Sequence, residues 1–245
     1  MSSAYESGVE EICRSLSSRS YDLRSSEQAR RLLLKRSETA LDDLEGFRES
    51  WARMPLDSSM ANGGRRRRRH ATLSAPRSSA DYRVEAHQPH YQGLDYNNLN
   101  GGAARHYEPF EDATLRGATM DSLITLGCDI FGRLAPYSAW HIEAHQLRVE
   151  VDGAQVGLPA PEAVHRDGVA FALVAMIGRS NATGGESTVF DLDGRPVEKF
   201  VLTDPLDLAL VNDERVYHGV SSIGQIHAAF PASRDVLVVT YRHKP

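Results

Sequence analysis

The chain has 245 residues, 41% of them hydrophobic and 25% charged, and a formal net charge of -5 from 33 acidic and 28 basic side chains. That composition is ordinary for a globular protein and excludes a disordered or fibrous class, while the length fits one large all-β domain with helical additions better than two small domains. The acidic balance gives the molecule no electrostatic bias toward nucleic acid or an anionic membrane, so neither is expected as a partner.

Cys13 and Cys128 lie far apart and make no disulfide framework, which points to a reducing compartment. The first residues carry early acids without an apolar core of signal-peptide length. No run reaches the roughly eighteen apolar residues of a membrane span, so a cytoplasmic location is expected.

From Ser26 to Trp51 the chain is rich in helix formers, with Leu32, Leu33, Leu41, Leu44 and Phe47 at helical spacing, so helices are predicted there. Met54-Pro55 and Asn62-Gly63-Gly64 break the pattern. They divide a helical N-terminal region, residues 1–64, from a main domain with supporting helices over 65–245. Arg65 to Arg69 then form a run of five arginines. Read alone, such a run suggests nucleic-acid binding, but on a strand its side chains alternate between solvent and acids inside the fold.

Residues 81–110 are dense in Asn, Gly, His and Tyr and read as loops. A helix is predicted over about 113–131, carrying Leu115, Met120, Leu123, Ile124, Leu126 and Ile130. Beyond Pro136 strands are predicted at 142–151, 169–177, 187–191, 199–203, 209–212, 217–223 and 236–242. Short apolar or alternating runs divided by Gly, Pro, Asn and Asp suit a mainly β fold, a double-stranded β-helix of the jelly-roll, cupin-like kind with the N-terminal helices packed on it.

The chemistry concentrates at His165-Arg166-Asp167-Gly168. In an extended chain residues two apart share a face, so His165 and Asp167 present an imidazole and a carboxylate side by side. His218, at the start of a later strand, completes a two-His, one-carboxylate set, which on one face of a metal is the facial triad of non-haem iron(II) oxygenases. By spacing alone the set is not unique, since His87, His90, His106, His141, His145 and His227 could be drafted into rival triads.

The surrounding blocks are more specific. They are His87-Gln88-Pro89-His90-Tyr91-Gln92 with Asp95-Tyr96-Asn97, Leu99-Asn100-Gly101-Gly102, His145-Gln146-Leu147-Arg148, and Pro161-Glu162 leading to His165-Arg166-Asp167-Gly168. Gly184-Gly185-Glu186-Ser187, Pro205-Leu206-Asp207, Tyr217-His218-Gly219-Val220 and Arg234-Asp235-Val236-Leu237 continue in the same order.

In these blocks, over about residues 65–245, the chain resembles the 2-oxoglutarate-Fe(II) dioxygenases that include bacterial L-isoleucine dioxygenase and related free amino-acid hydroxylases. The arginine run also resembles an arginine-rich strand of that family. Ala163 is a departure, standing where the family more often has Gly.

The resemblance implies Fe(II) held by His165, Asp167 and His218. It implies 2-oxoglutarate and O2 as co-reactants, succinate and CO2 as coproducts, and oxidation, most often hydroxylation, of a small molecule such as a free amino acid. The far carboxylate of 2-oxoglutarate needs a cation, preferably a planar guanidinium. Arg234 is the first choice and Arg242 the second, both on one face of the last strand. An amino acid needs a cation and an acceptor, which makes Gln146, Arg148, Glu162 and Asn97 candidate substrate contacts, with Glu186 and Ser187 at the mouth. Two rival readings are a metal-binding cupin-like isomerase or small-molecule sensor without redox turnover, which would not need Arg234, and a nucleic-acid binder using the arginine run.

Overall fold

The computed structural model describes residues 3–57, 65–96, 101–153, 156–159 and 163–244. Helix α1 (Ser3–Arg19) forms because Tyr5, Val9, Ile12 and Leu16 recur at helical spacing and are all buried. Strand β1 (Tyr21–Arg24) follows, then α2 (Ser26–Arg36), opened by a capping box in which Ser25 and Gln28 each accept the other's backbone N–H. Helix α3 (Leu44–Glu49) runs into a 3-10 turn over Ser50–Arg53.

Strands β2 (Arg66–Ala75), β3 (Arg83–Val84) and β4 (Glu108–Pro109) precede α4 (Asp112–Leu115) and α5 (Ala118–Leu134). The Asp43 carboxylate accepts both the N–H and the hydroxyl of Thr119, at 2.8 and 2.6 Å, satisfying donors in the first turn of α5. The rest is β: β5 (Ala139–Val151), β6 (Phe171–Ser180), β7 (Ala182–Gly184), β8 (Ser187–Phe190), β9 (Pro196–Phe200), β10 (Leu208–Asn212), β11 (Tyr217–Val220), β12 (Ile223–Gln225) and β13 (Ala232–Lys244).

The main sheet runs β1-β10-β6-β13-β5-β2-β3, with β4 added to β2. Opposite it lie two small sheets, β11-β8-β9 and β12-β7. The architecture is the expected jelly roll. The outer face of the main sheet, including Trp140, Ile142, Ala144, Leu173, Leu237, Val239 and Tyr241, forms one core with α1, α2 and α5. Its inner face carries the opposite set of side chains: Arg66 and Arg68 on β2, Glu143, His145 and Leu147 on β5, and Arg234, Val236, Val238, Thr240 and Arg242 on β13. The ladders place Arg68 and Val236 each opposite Leu147, and Thr240 opposite Glu143. Among the described residues, no helix is long and apolar enough to cross a membrane.

Two differences from the sequence reading have local causes. Residues 3–19, given no element there, form α1, and β1 adds an edge strand to the main sheet. The strand predicted over 217–223 breaks at Ser221-Ser222, so that β11 pairs with β8 and β12 with β7. The strands they pair with are separated at the same level, between β7 and β8, where Gly184 and Gly185 take φ of 71° and 70°. A Cβ on Gly184 would lie 2.2 Å from the Ser222 carbonyl oxygen, so only glycine allows this close approach.

Gly127 shows packing overriding helix propensity. Alanine normally gains about 1 kcal/mol over glycine inside a helix. At Gly127 the added Cβ would meet the Tyr241 hydroxyl at 2.1 Å, and that buried hydroxyl donates to the Ile124 carbonyl at 2.9 Å. Gly127→Ala is therefore expected to destabilise by about 1–3 kcal/mol. Gly46→Ala in α3, where a Cβ meets nothing within 4 Å, should stabilise by up to about 1 kcal/mol. Denaturant midpoints of both variants against the parent check the opposite signs.

Candidate active site

His165 lies in the connection between β5 and β6 and pairs with β11, exchanging backbone hydrogen bonds of 2.9 Å with His218 in both directions. That ladder brings together side chains fifty-three positions apart in the chain. The His165 Nδ1 lies 3.0 Å from the Ala163 carbonyl, which can only accept, so Nδ1 carries the proton and Nε2 keeps its lone pair. His165 Nε2 lies 3.5 Å from Asp167 Oδ1, and His218 Nε2 lies 3.6 Å from Asp167 Oδ2. All three ligand atoms fall within 4.8 Å of one another.

Adjacent ligands on an octahedral ion with bonds of about 2.1 Å are about 3 Å apart, so the set would have to draw together to close on a metal. Burial works to raise the Asp167 carboxyl, but the adjoining His165 and His218 imidazoles outweigh it and bring it down to about 2. Two imidazoles, one ionised carboxylate and an open side facing a cavity fit iron(II) in a facial triad.

Asp213, which the sequence reading missed, positions this loop. Its buried carboxylate accepts the backbone N–H groups of Asp167, Gly168 and Val169 at 3.0, 2.9 and 3.2 Å, and lies 3.1 Å from His218 Nε2. Gln92 reaches the same loop from the other side, its amide donating to the Asp167 carbonyl at 3.0 Å.

The cavity beside the triad has a volume of about 200 Å3. Arg234 and Arg242 both line it, as their shared strand face requires. Eight residues of strand set them about 26 Å apart along the chain, so they serve opposite ends. Arg234 is 4% exposed, its Nε has no hydrogen-bond partner, and among the described residues it makes no ion pair. Burial, reinforced by the neighbouring Arg179, pushes its guanidinium down to about 10. The adjacent Asp235 points to the other face and is taken by Arg148 in a bidentate pair, 2.7 Å at both contacts.

The expected substrate contacts divide. Ser187 lines the cavity. Glu186 is exposed at the rim beside Lys199. Gln146 and Arg148 are even-numbered residues of β5 and face outward, Gln146 bonded to Ser50 Oγ at 2.8 Å and Arg148 to Asp235, so they do not reach the cavity. Asn97 and Glu162 lie outside the described residues. Sequence reasoning assigned no substrate contact to the other polar groups that line the cavity: Arg68, His90, Gln92, Arg105, Glu143 and His145. The arginine run divides by strand alternation, Arg67 meeting Glu150, Arg69 meeting Glu111 and the buried Arg66 meeting Asp57.

A protein-family model described as 2OG-Fe dioxygenase matches residues 48–240. The chain belongs to the 2OG-Fe dioxygenase family. This dioxygenase is 23% identical over 170 residues to L-isoleucine-4-hydroxylase of Bacillus thuringiensis, covering 68% of the chain and 70% of the relative. It is 23% identical over 210 residues to 3(1)-hydroxy-L-isoleucine 4-dioxygenase of Pantoea ananatis (strain AJ13355), covering 84% and 83%. The crystal structure of a bsmA homolog from Methylobium petroleophilum PM1 superposes with a TM-score of 0.84 at 30% identity, over 96% of this chain and 93% of that one. Family membership makes the protein an enzyme whose co-reactants are Fe(II), 2-oxoglutarate and O2.

Four outcomes follow for the dioxygenase. Asp213→Asn keeps the side-chain volume but turns an amide donor toward N–H groups, and should weaken iron(II) binding roughly 10- to 100-fold, read by metal titration. Arg234→Met removes a buried charge that makes no ion pair among the described residues, so the ligand-free protein should gain about 1–3 kcal/mol in thermal or denaturant unfolding. The same variant should lose roughly 100-fold or more in 2-oxoglutarate affinity. Arg242→Met should leave that affinity unchanged.

Proposed function

We propose that this dioxygenase hydroxylates a free amino acid, with His165, Asp167 and His218 holding the iron and Arg234 holding the distal carboxylate of 2-oxoglutarate. The carrying observation is Arg234, a buried guanidinium that makes no ion pair among the described residues, lining a cavity that opens on the His-Asp-His set. A planar fork of donors in a desolvated site is suited to a bidentate carboxylate, and such a ligand would supply the missing negative charge. Iron bound by the triad supplies O2 activation coupled to oxidative decarboxylation of 2-oxoglutarate to succinate and CO2.

The chain's own residues hold the site. Asp213 orders the loop of Asp167, the Ala163 carbonyl sets the His165 tautomer, and Val174, Val236 and Val238 keep the cavity wall apolar. The cupin-like isomerase or sensor reading gains no support, because it leaves Arg234 buried without a purpose.

The amino-acid reading is supported by the two relatives, whose names specify L-isoleucine and 3(1)-hydroxy-L-isoleucine. It is supported also by a cavity that holds both buried cations and a buried carboxylate. The unpaired thiols of Cys13 and Cys128 agree with a cytoplasmic setting.

Incubation of the iron-loaded protein with 2-oxoglutarate and each standard amino acid, followed by mass spectrometry, should show one amino acid gaining an oxygen atom in step with succinate. Succinate formed with no amino acid altered would reject the amino acid while leaving the dioxygenase chemistry standing.

A further inference from the structure

Arg66 and Arg68 sit two residues apart on the inner face of β2, and only one has a counter-charge. Arg66 meets Asp57 at 2.7 Å. Arg68 is equally buried and meets no carboxylate among the described residues: it donates to the Tyr107 hydroxyl at 3.1 Å, packs over that ring at 4.2 Å, and contacts His145 Nδ1 at 3.0 Å. Its Nε has no partner.

On β5, Glu143 is the complementary case. His90 Nδ1 lies 2.8 Å from its Oε2. His70 and His141 stand 3.6 Å from Oε1 and His145 stands 3.8 Å from Oε2, beyond hydrogen-bonding distance. Burial lowers His70, His90 and His145, which weakens each ring as a cationic partner for the carboxylate. Burial also works against ionisation of Glu143, but the surrounding imidazoles outweigh it and hold the group well below the usual carboxylate range.

One ring connects the two. A guanidinium can only donate, so His145 Nδ1 accepts from Arg68 and its Nε2 carries the hydrogen on the side facing Glu143. A cation and an anion, both buried and neither neutralised by the other, thus stand one imidazole apart in the cavity that contains the triad. That separation is comparable to an ammonium and a carboxylate on one carbon with a hydrogen bond at each end, about 8 Å in all.

We propose that Arg68 and Glu143 form a clamp for the two backbone charges of the amino-acid substrate, Arg68 taking the α-carboxylate and Glu143 the α-ammonium. The clamp rests on the reading of the substrate as a free amino acid, and reads nothing of its side chain. Specificity among amino acids would then lie elsewhere in the cavity.

The test uses the iron-loaded protein with 2-oxoglutarate under anaerobic conditions, titrated with L-isoleucine, L-isoleucinamide and N-acetyl-L-isoleucine and followed by calorimetry, the free acid being replaced by the amino acid oxidised in the screen above if that is another. The parent protein should bind the free acid at least about 100-fold more tightly than either blocked form, a comparison that needs no variant to fold. Arg68→Gln should abolish the preference over the amide, and Glu143→Gln the preference over the N-acetyl form, with 2-oxoglutarate affinity unchanged in both.

An amino acid oxidised by the parent but bound equally well by both variants would overturn the clamp while leaving the proposed function intact. Selective binding without oxidation would do the reverse. A second tightly bound metal ion per chain, lost in His70→Asn, would assign the cluster to a metal and also overturn the clamp.

Discussion

The main sheet depends on strand alternation held in register across β2, β5 and β13. Along these strands one set of side chains enters the helical core and the other enters the cavity. Val239 and Tyr241 are buried against the helices, while Val238 and Thr240 line the cavity. A slip of one residue would drive Glu143 and Arg234 into the core and turn Ile142 and Leu237 toward the site, so the register is fixed by the free energies of both faces at once. The Trp51 indole reinforces it from outside, its N–H lying 3.2 and 3.3 Å from the carbonyls of the paired residues Leu147 and Val236, next to the irregularity in β13 at Asp235/Val236.

That arrangement carries an energetic cost. Burial, the largest cause for each, pushes the Arg234 and Arg68 guanidiniums down to about 10, well below the ordinary arginine range. For a base lowered in the folded state the sign is unfavourable: below about pH 10 both folded and unfolded chains carry the proton, and each guanidinium opposes folding by roughly 3 kcal/mol. The cost is relieved only as pH rises beyond about 10 into the ordinary arginine range. At any ordinary pH it is offset by the helical core or by a ligand that brings negative charge, and binding of that ligand stabilises the fold by mass action. A carboxylate ligand therefore gains affinity from strain already present in the protein, which is how stability is exchanged for function at a preorganised site.

The extent to which the sequence disclosed the site follows from distance along the chain. His165 and Asp167 are two residues apart, so extended geometry alone places them together. His218 joins them through a ladder that only the tertiary fold creates. The choice of Gln146 and Arg148 failed on phase: they lie on the side of β5 that also carries Trp140, Ile142 and Ala144, and that apolar series marks the helix-facing side. The period-two pattern held the correction, leaving His141, Glu143, His145 and Leu147 for the inner face. Helix α1 was equally legible from Tyr5, Val9, Ile12 and Leu16. Asp213 was not, because a buried acid whose partners are backbone N–H groups forty-odd residues away leaves no local signal.

A physical criterion separates structural from functional charge in this cavity. Arg66, Arg68 and Arg234 are all buried, but among the described residues only Arg66 makes a direct ion pair, with Asp57. A pair that neutralises itself, like the buried Arg66 and Asp57 or the partly buried Arg148 and Asp235, completes its electrostatics without a ligand. A buried charge that nothing neutralises is held in place by the rest of the fold, and the free energy it lacks is available to whatever enters. By this measure Arg234 suits the 2-oxoglutarate of the proposed function, and Arg68 with Glu143 suits the molecule bearing both charges that the proposed clamp would hold. The common chemistry of amino acids lies in those two groups, so a site of this kind can keep one recognition element while the cavity wall changes to suit different side chains.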